Sequence, residues 1–282
     1  MKERVFSALE YGSALVEPAQ DANKYSRGTL LVVAGSASYP GAAILASSAA
    51  TRSGAGYVTL ATAESVVGVA LAHLLIVRVV GLPSTPQGSI SPDALETIEA
   101  HIKENDALLI GPGLTRSEQT AQVVREVVAT ATIPTVLDAD GLNAFEGHLD
   151  ELHDADQPCI LTPHAGELAR LGSLEQVARP GCIVVAKGPT TVITDGVQAV
   201  IDTTGPPSLA TPGTGDVLAG IISALLCQGR DPFTSAVVGV RLHATAGRCA
   251  TEAQGAISMI ASDVIDYIGE AIAGMKEDEN HA

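Results

Sequence analysis

An α/β fold, with a central, mostly parallel sheet and helices on both faces, is what this sequence predicts. Three observations predict it. Short β-branched runs alternate with longer segments of helical spacing. The strand candidates read as continuous apolar runs, as strands buried on both faces do. Nearly every stretch punctuated by Gly, Pro or Asp sits at or just after a strand end, where open α/β sheets bind their ligands.

Taken along the chain, a first strand is expected over Thr29–Ala34, closed by Gly35-Ser36, and a helix over Ala42–Ser53. A strand over Tyr57–Ala61 follows. The apolar stretch Val66–Leu82 is broken by His73 and Arg78. It is too short and too polar to span a bilayer and reads as a helix end followed by a buried strand, Leu75–Val80. Next come a helix over Asp93–Glu104 and a strand over Ala107–Ile110 that ends in Gly111-Pro112-Gly113-Leu114. A helix over Ser117–Ala131 leads to a strand over Thr135–Asp138 and the run Asp138-Ala139-Asp140-Gly141-Leu142-Asn143. Cys159–Leu161 is a strand ending in Thr162-Pro163-His164-Ala165-Gly166-Glu167, and Gly166–Leu171 a helix. Strands are expected over Ile183–Ala186, Thr191–Thr194 and Ala199–Asp202, the first followed by Lys187-Gly188-Pro189-Thr190-Thr191. Helices over Thr214–Gln228, Pro232–Ala253 and Ala261–Ala273 complete the pattern. No linker or internal repeat divides the chain. One domain over residues 1–282 is expected, with 276–282 a polar, frayed tail. Five punctuated loops on one sheet edge outline a site larger than a monosaccharide needs.

Composition narrows the partners. The net charge is −16 and aromatic residues make up 3%, which argues against nucleic acid and anionic membrane surfaces. Any phosphate must then be held by backbone dipoles and a few chosen cations. The four cysteines show no Cys-x-x-Cys spacing, so neither a structural zinc nor a redox dithiol is expected. They read as buried thiols of a reducing cytoplasm. Met1 to Gly12 carries charges and no apolar core, so no signal peptide is evident.

The richest stretch is Leu209 to Gly220. Gly213-Thr214-Gly215 is a glycine turn that opens an apolar helix, and its first-turn N–H groups form an anion site. Asp216 directly beside it would repel an anion. It makes sense as a base that takes a proton from a hydroxyl while a phosphoryl group arrives. The plainer reading is a helix capped by Thr214 or Asp216. Other candidates carry two readings each. Gly111-Pro112-Gly113 lets backbone approach a ligand, or is an ordinary post-strand turn. His164 is a site residue or a structural one. Asp138 and Asp140 hold hydrated Mg²⁺ or cap the next helix. Lys187, alone between Lys103 and Lys276, meets a phosphate or is solvated. There is no P-loop, no Gly-x-Gly-x-x-Gly after the first strand, no Gly-x-Ser-x-Gly elbow and no His/Cys cluster for catalytic zinc. Phosphoryl transfer without a P-loop remains.

Ala34-Gly35-Ser36 with Tyr39-Pro40-Gly41-Ala42, GPGL at 111–114, DADGLN at 138–143, TPHAGE at 162–167, KGPTT at 187–191 and ATPGTGDVLAG at 210–220 occur in this order. Together they resemble the NAD(P)H-hydrate dehydratases of the ribokinase-like superfamily. GTGD alone is shared with vitamin and sugar kinases; DAD-x-LN with TPH-x-GE is more specific. The resemblance implies a ribokinase-like fold and a cytoplasmic, ADP-dependent repair enzyme. It would return (S)-NADHX and (S)-NADPHX to NADH and NADPH by phosphorylating the ring hydroxyl and eliminating phosphate. It further implies Mg²⁺ and ADP or ATP as co-substrate, with no protein metal-ligand set, and a homo-oligomer, often a tetramer. By the resemblance Asp216 is the catalytic base. Gly213, Thr214 and Gly215 form an anion hole, and Ala42, Gly113, His164 and Asp216 line the NAD(P)HX site. Lys187, Gly188, Pro189, Thr190 and Thr191, with Gly215, hold the nucleotide. Pro206, Pro207 and Pro212 depart from the family pattern and remove N–H donors from the nucleotide loop. About 28 residues precede the first strand, too few for the family's epimerase domain, so epimerisation is expected of another protein. Two rivals stand beside this reading: a small-molecule kinase of the same superfamily, and a non-catalytic nucleotide sensor.

Overall fold

The computed structural model describes residues 2–280. In chain order it has β1 (Lys2–Glu3), α1 (Ala8–Ala14), β2 (Thr29–Val33), α2 (Pro40–Arg52), β3 (Tyr57–Ala63), α3 (Val67–His73), β4 (Arg78–Leu82), α4 (Leu95–Ile102), β5 (Ala107–Ile110) and α5 (Glu118–Thr130). Then come β6 (Thr135–Leu137), α6 (Asp140–Asn143), α7 (Leu149–His153), β7 (Cys159–Leu161), α8 (Ala165–Leu171), α9 (Leu174–Val177) and β8 (Cys182–Ala186). The chain finishes with β9 (Thr191–Thr194), β10 (Gln198–Asp202), α10 (Thr214–Cys227), α11 (Pro232–Gln254), α12 (Ala261–Asp266) and α13 (Ile268–Asn280).

The strands form one ten-stranded sheet in the order β1-β10-β9-β8-β7-β6-β5-β2-β3-β4. All neighbours run parallel except β9, which is antiparallel to β8 and β10. Side chains alternate between two apolar layers, as the strand period requires. Leu30 and Val32 enter the layer built with α2 and α10 to α13; Leu31 and Val33 enter the one built with α4 to α9. Burial on both faces explains why the strand sequences are apolar throughout.

Two features place the site. From β2 the chain lays β3 and β4 on one side, then returns with β5 on the other. The loops leaving β2 and β5 therefore diverge and open a crevice at the carboxyl ends of the strands. The Gly35 amide, after β2, donates to the Pro112 carbonyl, after β5, at 2.8 Å. The second feature is α10, apolar on every side and buried for most of its length. It lies against the small residues of α2, where a side chain at Gly220 would meet Ala49 Cβ at 3.0 Å. That contact fixes where the first turn of α10 points.

Several expectations need correction. The strand expected at Leu75–Val80 begins later, at Arg78, and is an edge strand, not a buried one. Leu75 and Ile76 are 89% and 75% exposed. With a neighbour on one side only, β4 keeps just Leu82 buried. The helix expected over Ala261–Ala273 breaks at Tyr267 into α12 and α13. The expected frayed tail is helical as far as Asn280, and Lys276 is tied down by donating to the Leu15 carbonyl at 3.0 Å; residues 281–282 lie outside the described residues. Cys159, Cys182 and Cys227 are buried free thiols, each pushed up to about 12 by burial, but Cys249 is partly exposed. No helix among the described residues is long and apolar enough to cross a membrane.

Candidate active site

The first turn of α10 begins at Gly213, whose φ of 91° lies in the left-handed region that favours glycine. There is no space for a side chain either, because a Cβ there would sit 2.6 Å from Leu45 Cδ1 and 3.1 Å from Ala261 Cβ. Neither expected capping side chain caps this helix. Thr214 Oγ1 instead donates backwards, to the Leu209 and Thr211 carbonyls at 2.7 and 2.9 Å. The Gly215 and Asp216 amides are not taken up by any carbonyl among the described residues. The turn thus leaves its first N–H groups without an acceptor among the described residues, as an anion site requires.

Asp216 stands half-buried in this turn. Burial pushes its carboxyl up to about 7, reinforced by the Asp138 carboxylate and only partly opposed by the Lys187 ammonium. A carboxyl poised near neutrality suits a proton acceptor better than a surface aspartate would.

Lys187 leaves the end of β8 with its amide on the Pro163 carbonyl at 2.8 Å. Its Nζ donates to Asp138 Oδ1 at 2.8 Å, and a Gly215 Cβ would lie 3.3 Å from the same nitrogen. The side chain is 20% exposed, so the solvated-lysine reading is corrected: the ammonium is held between a buried carboxylate and the α10 turn. Burial alone would push its pKa down. The Asp138, Glu167 and Asp216 carboxylates outweigh that and hold it above the ordinary lysine value. An ammonium has three donors, so two remain for a ligand. Gly188, Pro189 and Thr190 form the exposed β8–β9 turn, which Thr191 closes by donating to the Gly188 carbonyl at 3.2 Å.

Asp138, Thr162 and Lys187 follow three neighbouring strands, β6, β7 and β8. Asp138 Oδ1 accepts from Thr162 Oγ1 at 2.6 Å as well as from Lys187. Asp138 therefore caps no helix. Asp140 Oδ2 accepts from the Thr115 amide at 2.9 Å and Oδ1 from Asn143 Nδ2 at 3.0 Å, and Asn143 Oδ1 in turn accepts from Arg116 and Arg170. Both aspartates are committed to the protein, and no group of three or more metal-ligating side chains occurs among the described residues. Ala139, between them, has a φ of 50°, a conformation a non-glycine residue holds only where its surroundings enforce it.

Gly113 and Ala42 are brought together. At Gly113, with a φ of 66°, a Cβ would meet the Tyr39 carbonyl at 2.7 Å and Ala42 Cβ at 2.9 Å. The start of α2 thus lies between the β5 loop and the Gly213 turn.

His164 is the N-cap of α8. Its Nδ1 accepts from the Gly166 and Glu167 amides at 2.9 and 3.3 Å, and Glu167 returns the bond by accepting from the His164 amide at 2.8 Å. The proton in this arrangement sits on Nε2, which lies 3.4 Å from Glu167 Oε1 on a 57% exposed side chain. His164→Ala is expected to destabilise the protein by about 1 kcal/mol through loss of the cap, as measured by urea unfolding. A change in catalytic KM beyond that would report contact with substrate.

Sequence reading assigned no role to Thr162, Glu167 or His243. His-x-x-Glu is a capping-box spacing that could have revealed Glu167. His243, buried under the α10 turn, is pushed down to about 4 by burial and stays neutral; nothing in its sequence surroundings signals this. The loop bearing Pro206 and Pro207 is seated on α11: Leu209 packs against Gly247, and Ser208 Oγ lies 2.6 Å from Thr251 Oγ1.

The profile of the NAD(P)H-hydrate dehydratase family matches residues 30–270. The Bifunctional NAD(P)H-hydrate repair enzyme Nnr of Salinibacter ruber is 41% identical over 272 residues, 90% of this chain but 49% of that protein. The chain thus spans about half the length of that relative. The ADP-dependent (S)-NAD(P)H-hydrate dehydratase of Xanthomonas campestris pv. campestris is 35% identical over 264 residues, 88% of this chain and 89% of that one. The structure of the ADP/ATP-dependent NAD(P)H-hydrate dehydratase from Bacillus subtilis, co-crystallised with ATP/Mg²⁺, superposes with a TM-score of 0.78 at 28% identity, covering 95% of this chain and 97% of that one.

Proposed function

Since the chain belongs to the NAD(P)H-hydrate dehydratase family, we infer that it is an ADP-dependent (S)-NAD(P)H-hydrate dehydratase, restoring NADH and NADPH from their (S)-hydrates. The observation that carries this reading is the α10 turn. Free amides and the Lys187 ammonium stand beside a carboxyl poised at about 7. The amides of Gly215 and Asp216 would take the transferring phosphoryl oxygens. Asp216 would accept the proton of the ring hydroxyl as its oxygen attacks phosphorus. Phosphate, a far better leaving group than hydroxide, then departs with the C–O electron pair, and loss of a proton from the neighbouring ring carbon restores the double bond. In this reading Ala42, Gly113 and His164 line the dinucleotide side. Lys187 to Thr191, with Gly215, hold the nucleotide.

Mg²⁺ belongs to the same proposal and would neutralise phosphate charge. With Asp138 and Asp140 already bonded within the protein, it would arrive on the nucleotide phosphates and water rather than in an all-protein cage. We also propose that residues 1–282 act as one catalytic unit in a reducing cytoplasm. Homo-oligomerisation, as a tetramer, is part of the same proposal; exposed Leu71, Leu75 and Ile76 offer apolar surface that a second copy would cover.

The test is to incubate the protein with NADHX or NADPHX and either ADP or ATP, with Mg²⁺. One nucleotide should be cleaved per dihydronicotinamide chromophore restored, with ADP at least as effective as ATP. Recovery without nucleotide cleavage would sink the phosphorylation route. A stable phosphorylated vitamin or sugar product would indicate a kinase, and tight binding without turnover a sensor.

A further inference from the structure

In a chain with only 16 Lys and Arg against 32 Asp and Glu, four cations line one cavity of about 610 Å³. Arg27, Arg52, Arg230 and Lys276 come from four separate parts of the sequence, and only Glu17 and Asp21 oppose them in the lining. The cavity sits where α2 and α10 end, at the opposite sheet edge from the catalytic turn. The length of α10 separates the two by about 20 Å, at 1.5 Å per residue.

Part of this cluster is architectural. Arg27 Nη2 donates to the Gly54 carbonyl at 3.2 Å, and Lys276 is taken up by the Leu15 carbonyl and Glu17. Arginines near helix C-termini also complement the helix dipole. Two guanidinium groups are left over. Arg52 is exposed and Arg230 half-buried, and neither side chain has an acceptor among the described residues. The Nε of Arg230 is fully buried and unbonded. What the two guanidinium groups lack is a protein acceptor, which leaves their terminal donors open to an oxyanion entering the cavity. The remaining wall is mixed, with apolar Leu15, Val16, Leu225 and Ile272 beside polar Asn23, Ser26, Ser53 and Gln228. A volume of this size is that of a small-molecule site.

We propose that this cavity is a second ligand site, taking a small molecule with a phosphate or carboxylate group on an apolar body. The anionic group would sit between Arg52 and Arg230, accepting from the terminal nitrogens of the two guanidinium groups, and the apolar body would lie against Leu15 and Ile272. Guanidinium forks match such oxyanions in geometry as well as charge. The site is independent of Asp216 and of the nucleotide turn.

Phenyl phosphate is a suitable probe, titrated calorimetrically into the full chain and into Arg52→Gln, Arg230→Gln and the double variant. Saturable binding is expected, weakened about ten-fold or more by each single substitution and lost in the double variant. Turnover of NAD(P)HX in the Arg52→Gln variant should be unchanged without probe. If Arg230→Gln does not fold, the exposed Arg52→Gln still decides the matter. Absence of saturable binding overturns the proposal and leaves water as the partner of Arg230. Binding that both substitutions leave intact overturns it too, assigning the probe to the α10 turn.

Discussion

Asp216→Asn is expected to lower kcat about 10²–10⁴-fold, the usual cost of losing a general base. The turn itself should survive, because Gly213 and Thr214 shape it and Asp216 makes no capping bond. ADP affinity should hold or rise, since a negative charge beside the phosphates is removed. If Asp216 is the base, it acts in its ionised form, so kcat/KM of the native protein should climb with pH and level off above about 7. That rising limb should vanish from the residual activity of the Asn variant. Stability gives an independent readout. The folded carboxyl titrates at about 7, above its ordinary 3.8, so between these values the native state binds the proton that the unfolded chain has released. Stability from this group therefore falls as pH rises from about 4 to about 7. Asp216→Asn should have little effect on Tm at pH 5 and raise it at pH 8. Near-normal turnover in the variant, or a Tm advantage that does not grow with pH, would contradict the role given to this carboxyl.

Lys187→Met should damage both folding and nucleotide use, for separable reasons. Among the described residues its ammonium is the only cationic partner of Asp138, which is 1% exposed. Removing one member of a buried ion pair typically costs about 3–5 kcal/mol, because the other charge stays buried and alone. Urea unfolding should register a loss of that order. The double variant Asp138→Asn/Lys187→Met removes both charges and should recover much of the stability, as a double-mutant cycle would reveal. Nucleotide use should not recover with it. A charge-assisted bond from Lys187 to phosphate is worth about 1.5–3 kcal/mol, so KM for ADP should stay raised by about ten-fold to a hundred-fold in both variants. Recovery of KM along with stability would make Lys187 a purely structural residue.

The elements that read clearly in the sequence are apolar or β-branched runs closed by Gly, Pro or Lys-Gly punctuation, and helices with several turns of periodicity. Ala107–Ile110, Cys159–Leu161 and Thr191–Thr194 coincide with β5, β7 and β9, and the long helices differ by a residue or two at their ends. The missed elements are mostly short. Helices α6 and α9, of four residues each, show barely one turn of periodicity. Two missed helices did carry a readable start signal: the capping boxes Ser7–Glu10 before α1 and Ser173–Gln176 before α9. Strand β4 was displaced because the exposed Leu75 and Ile76 look like core in an apolar run, and hydropathy cannot distinguish an edge from an interior.

By itself the sequence determined the fold class, the loops at the carboxyl ends of the strands, and the Gly213–Asp216 turn. These are local consequences of β-branched runs, glycine conformation and helix starts. Only the tertiary structure decided what those loops do to one another. Asp138, Thr162 and Lys187 lie far apart in the chain, yet meet because β6, β7 and β8 are neighbours in the sheet. Lys187 is thereby changed from a solvated cation into a buried partner, and Asp216 is raised to about 7 by burial among acids from other strands. The meeting of Arg27, Arg52 and Arg230 was equally invisible, since it depends on where α2 and α10 end. Strand order and helix crossing are properties of packing, and no local spacing encodes them. Burial and pairing, which set charge and reactivity, follow from that packing.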